Sequence, residues 1–180
     1  MIEENLLIQQ LKNAQTQDKA FRELMSLYKE RLYWHIRKIV ISHDDTDDVL
    51  QNTFVKVYRS ITNFKGDSKL YSWMYRIATN EAITFINKRA KERKVDMNEM
   101  QHQLVENLHA DVYFDGSDIQ IQLQKAIASL PQKQRLVFNM KYFDDMKYKD
   151  ISEVLETSVG ALKASYHHAV KKIEYILKES

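Results

Sequence analysis

"YKDISEVLETSVGALKASYHHAVKKIEYIL", Tyr148 to Leu177, is the stretch whose reading decides the fold. At about 100° per residue, Val159, Leu162, Tyr166, Ala169, Val170, Ile173 and Leu177 share one helical face. Gly160, Lys163, Ala164, His167, His168 and Lys171 spread over the opposite side. "YKDISEVLE" reads as a short helix, and Glu156 to Ser158 as a tight turn. A short helix, a tight turn and a longer helix with a basic outer face make a helix-turn-helix pattern. Ser158 is the expected N-cap of the second helix. The free amides behind it suit a phosphate, and Gly160 permits close backbone approach. Lys163, Lys171 and Lys172 add phosphate contacts. Such turns often hold glycine where Glu156 stands, so a left-handed non-glycine residue is expected there, at about 1 kcal/mol. An ordinary helical hairpin is the competing reading; cap, turn length and two-faced helix together favour helix-turn-helix. The pair His167 and His168 makes no metal site. Adjacent helix residues point about 100° apart, and neither has a cysteine or acid three or four residues on.

The rest of the chain extends this helical pattern. Three glycines and one proline in 180 residues leave few places to break a helix. Upstream, Leu123, Ala126, Ile127 and Leu130 form a stripe, Pro131 suits a first helical turn, and Leu136, Val137 and Met140 continue in a further helix. Nearer the N-terminus, a helix starting near Asp18 buries Phe21, Leu24, Met25, Tyr28, Leu32, Ile36, Ile39 and Val40. The next follows the aspartates 44, 45, 47 and 48, with Leu50, Phe54, Val57 and Ile61 as its stripe. Asp44 and Asp45 are expected to cap it, while Asp48 lies opposite the stripe and shares an outward edge with Gln51, Asn52, Val55 and Arg59. A turn at "TNFKGDS" contains Gly66 and offers Asp67 or Ser68 as cap of a third helix running to Lys94. A short helix near Ile2 to Leu11 completes this bundle. The expected architecture is all-α: two small helical domains, 1–94 and 118–180, joined by a polar acidic linker, 95–117, with room for partial helix.

The composition narrows the class. Hydrophobic residues make up 44% and charged residues 29%, which fits a folded globular chain rather than a disordered one. No apolar run approaches the roughly 20 residues that span a bilayer, and the N-terminus lacks the pattern of a secretory signal. The absence of cysteine excludes disulfides and thiolate metal sites. A cytoplasmic location is the simplest expectation. The net charge is only +2 but unevenly spread: residues 76–94 carry +4, 95–120 carry −6 and 133–178 carry +3. Two basic modules around an acidic spacer suit a polyanion; solvated helix surfaces of mixed sign are the plainer alternative. "NFKGDSKLYSWMYRIATNEAITFINKRAKERK" crowds Phe64, Tyr71, Trp73 and Tyr75 ahead of a basic tail. Aromatics stack on unpaired bases while cations track the backbone, although aromatics at helical spacing are as readily core.

Taken together these stretches resemble a bacterial RNA polymerase sigma factor of the extracytoplasmic-function type. "DTDDVLQNTFVKVYRSI" matches that family's D-x-x-D-x-x-Q-x-x-F element at Asp45, Asp48, Gln51 and Phe54. "NFKGDSKLYSWMYRIATNEA" is similar to its promoter-melting segment, and 130–173 to its C-terminal helix-turn-helix domain. The resemblance implies a factor, not an enzyme, that binds core RNA polymerase and promoter DNA and uses no cofactor, metal or small-molecule substrate. It places core binding on Asp45, Asp48, Gln51 and Asn52. Melting and capture of the −10 element fall on Phe64, Lys65, Ser68, Trp73 and Asn80, with Arg76, Lys88 and Arg89 on backbone. The −35 element falls to Ser158, Gly160, Lys163, Ala164, His167, His168 and Lys171. It also implies an anti-sigma factor, commonly membrane-bound, with no membrane insertion of this chain itself. Where family members often carry Arg or Lys on the reading face, this chain has Ser165 and His168. A stand-alone helix-turn-helix regulator is the alternative, but it gives Trp73 and the Asp48 edge no role.

Overall fold

The computed structural model describes residues 3–108 and 116–179. Among the described residues it is built of helices: α1 (Glu4–Lys12), α2 (Gln17–Val40), α3 (His43–Ser60), a 3₁₀ turn (Ile61–Asn63), α4 (Leu70–Arg93), α5 (Met97–Glu106), α6 (Asp118–Ala128), α7 (Gln132–Tyr142), α8 (Tyr148–Leu155) and α9 (Val159–Glu179).

Helices α1 to α4 pack as one bundle whose centre is fully buried. Leu24, Leu32 and Ile36 of α2, Val49 and Val57 of α3, and Leu70, Met74, Tyr75, Ala78 and Ile86 of α4 meet there. These are the stripes that the 3.6-residue period marks. The starts of two helices differ from expectation. Ser42, not an aspartate, caps α3, its hydroxyl accepting the Asp45 amide at 3.4 Å. Asp44 and Asp45 instead sit inside the first turn, where their charge still meets the positive helix end. Neither Asp67 nor Ser68 caps α4. Lys69 holds the cap position without a side-chain bond, and the Leu70 amide donates to Glu4 Oε1 at 3.1 Å. The N-terminal side of the expected first helix, Ile2, lies outside the described residues.

The segment after Lys94 is more ordered than a polar spacer. Helix α5 is capped by Asp96, whose carboxylate accepts the Glu99 amide at 2.8 Å, and buries Met100, Gln101 and Val105. The Gln101 amide donates to the Ile39 carbonyl at 2.8 Å, which pins α5 to the end of α2. Ile41 closes α2 with φ 67, a strained value for a β-branched residue. It is held by a small apolar cluster with Val105, Leu108 and Ala128, so α5 and α6 fix that corner. The acidic positions Asp111 and Asp115 of the expected linker lie outside the described residues.

Helices α6 to α9 form the second module. A capping box at Ser117 and Gln120 starts α6. Arg135 is buried and donates to the Ala128 and Leu130 carbonyls, tying α7 to the end of α6; burial pulls its guanidinium down to about 10. Helix α8 turns into α9 through Glu156 at φ 51, the left-handed conformation expected of this non-glycine residue. Leu162, Ala169 and Ile173 of α9 are buried, whereas Val159 and Leu177, at the ends of the expected stripe, are exposed. The two modules share one core: Leu136, Val137, Met140, Ile151 and Val154 join the cluster centred on α2 and α4.

Candidate polymerase and nucleic-acid interfaces

Helix α3 presents its polar edge outward. Asp48, Gln51 and Asn52 are exposed, and Val55 beside them is 46% exposed, a high value for a valine. Next to this edge an open groove of about 700 Å³ runs between α2 and α3, lined among others by Phe21, Met25, Leu50, Gln51, Phe54 and Val55. Asp45 is turned the other way. It bonds Arg89 of α4 at 2.8 Å and lies mostly buried. Arg89 also lies over the Phe85 ring, so this expected backbone contact is engaged within the bundle. Lys88 remains exposed, the Glu92 carboxylate lying 4.0 Å from its ammonium.

The aromatic segment splits into core and surface. Tyr75 is fully buried, its ring 4.5 Å from that of His35. Phe64 is buried too, while Tyr71 and Trp73 stay half-buried at the rim. Phe64 and Trp73 pack with centroids 5.1 Å apart. They wall a pocket of about 270 Å³ with Asn63, Lys65, Asp67, Ser68, Arg76 and Glu153. That is below the roughly 300 Å³ at which drug-sized clefts begin. Asn80 is not in this pocket; it lines an adjoining groove that Arg76 shares. Gly66, at φ 82, makes the loop between Phe64 and α4 possible.

Glu153 belongs to α8, so the second module closes one side of the pocket, which the local sequence pattern does not signal. Lys69 bonds Asp150 at 2.8 Å, and Arg76 donates through Nε to the Glu153 carbonyl at 3.0 Å and through Nη1 to the Glu156 carboxylate at 3.3 Å. Burial alone would raise the Asp150 carboxyl, but hydrogen bonds from Lys69 and Tyr71 hold it below the usual carboxylate range. Asp144, just after α7, forms a second tie: it accepts from Lys38 at 2.6 Å and from His35 Nδ1 at 3.3 Å. His35 Nε2 shares a 2.7 Å hydrogen bond with the Thr79 hydroxyl, which also lies 2.7 Å from the Tyr75 carbonyl.

Burial holds the His35 imidazole below its ordinary range, against the pull of Asp144. Burial would raise Asp144, yet His35 and Lys38 hold it below the usual carboxylate range. Both groups therefore favour folding when deprotonated. Their contribution is fully present above about pH 6.5 and is lost as the pH falls, first through His35. The melting temperature is expected to drop between about pH 7 and about pH 5, with a shallower drop in His35→Gln. Equal slopes in the two proteins would remove His35 from the account.

On α9, Gly160, Lys163, Ala164, His167, His168 and Lys171 are all exposed along one face. Ser158 caps the helix as expected, its hydroxyl accepting the Ala161 amide at 3.3 Å. A Cβ at Gly160 would meet no atom of the chain, so nothing intramolecular requires glycine there. Among the described residues no three His, Cys, Asp or Glu side chains converge as metal ligands.

Comparison with known proteins places these features. Residues 24–92 match the family described as Sigma-70 region 2, and residues 120–173 match Sigma-70, region 4; together they cover about two-thirds of the chain. The chain is 28% identical to the ECF RNA polymerase sigma-E factor of Haemophilus influenzae, covering 87% of this chain and 86% of that protein. It is 26% identical to the ECF RNA polymerase sigma factor SigW of Bacillus subtilis, covering 89% and 90%. The fold is similar to that of CnrH, solved with the cytosolic domain of CnrY, at a TM-score of 0.73, 20% identity and 98% coverage of both chains. It is also similar to RpoE of Bartonella quintana, solved with the anti-sigma factor NepR, at 0.67, 21% identity and 89% and 98% coverage. With a region-2 bundle, a region-4 helix-turn-helix and ECF relatives along nearly its whole length, the chain belongs to the sigma-70 family as an ECF-type sigma factor, a transcription initiation factor.

Proposed function

We propose that this sigma factor docks on core RNA polymerase through the outer edge of α3, Asp48, Gln51 and Asn52, and the apolar groove beside it. Asp45 supports that edge from behind through Arg89. The pocket of Phe64, Lys65, Ser68 and Trp73 captures an unpaired −10 base, with Arg76, Asn80 and Lys88 along the strand. The exposed face of α9 reads the −35 element in the major groove, Ser158 and the helix N-terminus meeting phosphate. The working units are 1–94, 95–117 and 118–180. The chain supplies binding faces only and catalyses nothing; it takes no cofactor or small molecule and acts in the cytoplasm, where its polymerase is. No helix among the described residues is long and apolar enough to cross a membrane. An anti-sigma factor is its regulatory partner, as the NepR complex of a similar fold supports.

The observation that carries the reading is the α3 edge. An acid, two amides and an uncovered valine beside an apolar groove suit a protein partner better than a cation. Run-off transcription with purified core polymerase on a promoter library tests it, and no transcript together with no core binding would falsify it. Asp48→Ala with Gln51→Ala is expected to weaken core binding by about tenfold while helicity is kept. Unchanged affinity in a folded variant means that the contact face lies elsewhere. A stand-alone regulator would instead shift duplex promoter DNA without polymerase.

A further inference from the structure

The loop that forms the pocket is held at both ends by one helix outside the region-2 match. Lys12, at the end of α1, donates to the Phe64 carbonyl where the loop begins. Its ammonium also sits 6.0 Å from the centre of the Phe64 ring, the ring that packs on Trp73. Glu4, at the start of α1, accepts the Leu70 amide where the loop ends. That amide is one of the four unpaired donors of a helix start, and Lys69 at the cap position offers α4 no side-chain acceptor. Glu4 and Lys12 lie about 12 Å apart along the helix axis. Between them Leu7 and Leu11 are buried in the bundle, which fixes α1 as a rigid bar beside the loop. Between its two ends the loop turns through Gly66 at φ 82.

We propose that α1 is a positioning element for base capture: Glu4 and Lys12 set the two ends of the 64–70 loop and hence the spacing of Phe64 against Trp73. Neither residue touches the strand; both act through the loop. This rests on the reading of that pocket as the strand-capture site.

The test uses the full chain with core polymerase on a promoter found by run-off transcription. Glu4→Ala, Glu4→Gln, Lys12→Met and the exposed α1 control Gln9→Ala are compared, with Trp73→Ala as the site control. Promoter opening is followed by permanganate reactivity of unpaired thymines, beside core affinity and melting temperature. Glu4→Ala and Lys12→Met are each expected to slow opening by about 3- to 10-fold, the size of a lost helix cap, with core affinity unchanged. Glu4→Gln keeps an acceptor oxygen and is expected to restore most of the rate, which a general loss of stability would not do. Wild-type opening in both Glu4→Ala and Lys12→Met, with Trp73→Ala impaired, overturns the bracing role and leaves the capture site standing. A loss that tracks melting temperature and is not restored by glutamine also overturns it. Normal opening in Trp73→Ala overturns the capture site, and the bracing role with it.

Discussion

Trp73→Ala is expected to reduce opening of duplex promoters by about 10- to 100-fold, the range that stacking on one aromatic supplies at about 1–3 kcal/mol. Its ring is half-buried at the rim of the pocket, with Phe64 behind it. A base drawn out of the duplex loses its stacking, at a few kcal/mol, and the tryptophan face replaces that loss. On a template already melted over the −10 element the loss has been met beforehand, so the defect there is expected to be smaller. Equal defects on both templates would assign Trp73 to packing instead. Tyr75, fully buried against His35, serves as the contrast: its truncation should lower stability on every template alike.

Asp144→Ala is expected to loosen the two modules from each other. Both of its side-chain partners, His35 and Lys38, are on α2, while Asp144 itself follows α7. Removing it leaves a buried imidazole without its acceptor and a lysine without its counter-ion, at about 2–3 kcal/mol. The chain has no cysteine, so label sites introduced at the exposed Asn87 and Glu174 would report distance without background. A single narrow distance distribution is expected in the parent and a broad one in the variant. Because α8 then leaves Lys69 and Arg76, affinity for a labelled single strand should rise several-fold, and the gain should shrink as salt is raised. A variant that keeps the narrow distribution would show that the shared apolar core alone holds the modules.

The elements that repeat every three or four residues were legible in the sequence, because one buried face per helix imposes that period. The turn into α9 was legible for a local reason too: Ser158 caps within three residues, and Glu156 stands where the chain must turn left-handed. Caps supplied from a distance were not. Nothing near Leu70 signals that Glu4 completes α4, and nothing in 44–48 shows that Ser42 does the capping while Asp45 turns to Arg89. The segment 97–106 reads as polar because its apolar positions are sparse, yet Met100 and Val105 find burial that only the neighbouring elements provide. Of the candidate site, the α9 face follows from the helical period, whereas Phe64, Lys65, Ser68 and Trp73 come together through the family resemblance, which also names Asn80, a residue of the adjoining groove. The covering of the pocket by α8 depends on contacts some eighty residues apart and leaves no local pattern.

That covering has a kinetic consequence. If the pocket is the −10 face, as proposed, helix α8 acts as its tethered ligand, present at an effective concentration on the order of millimolar. A strand would meet the closed molecule more weakly by the ratio of that effective concentration to the dissociation constant of α8 for the same face, the several-fold factor expected on its release. Among the described residues nothing covers the α9 face: Lys163, His167 and Lys171 are exposed in the same closed arrangement. On the proposed reading, encounter with promoter DNA would be ordered: duplex sampled first through α9, with strand capture waiting for whatever displaces α8.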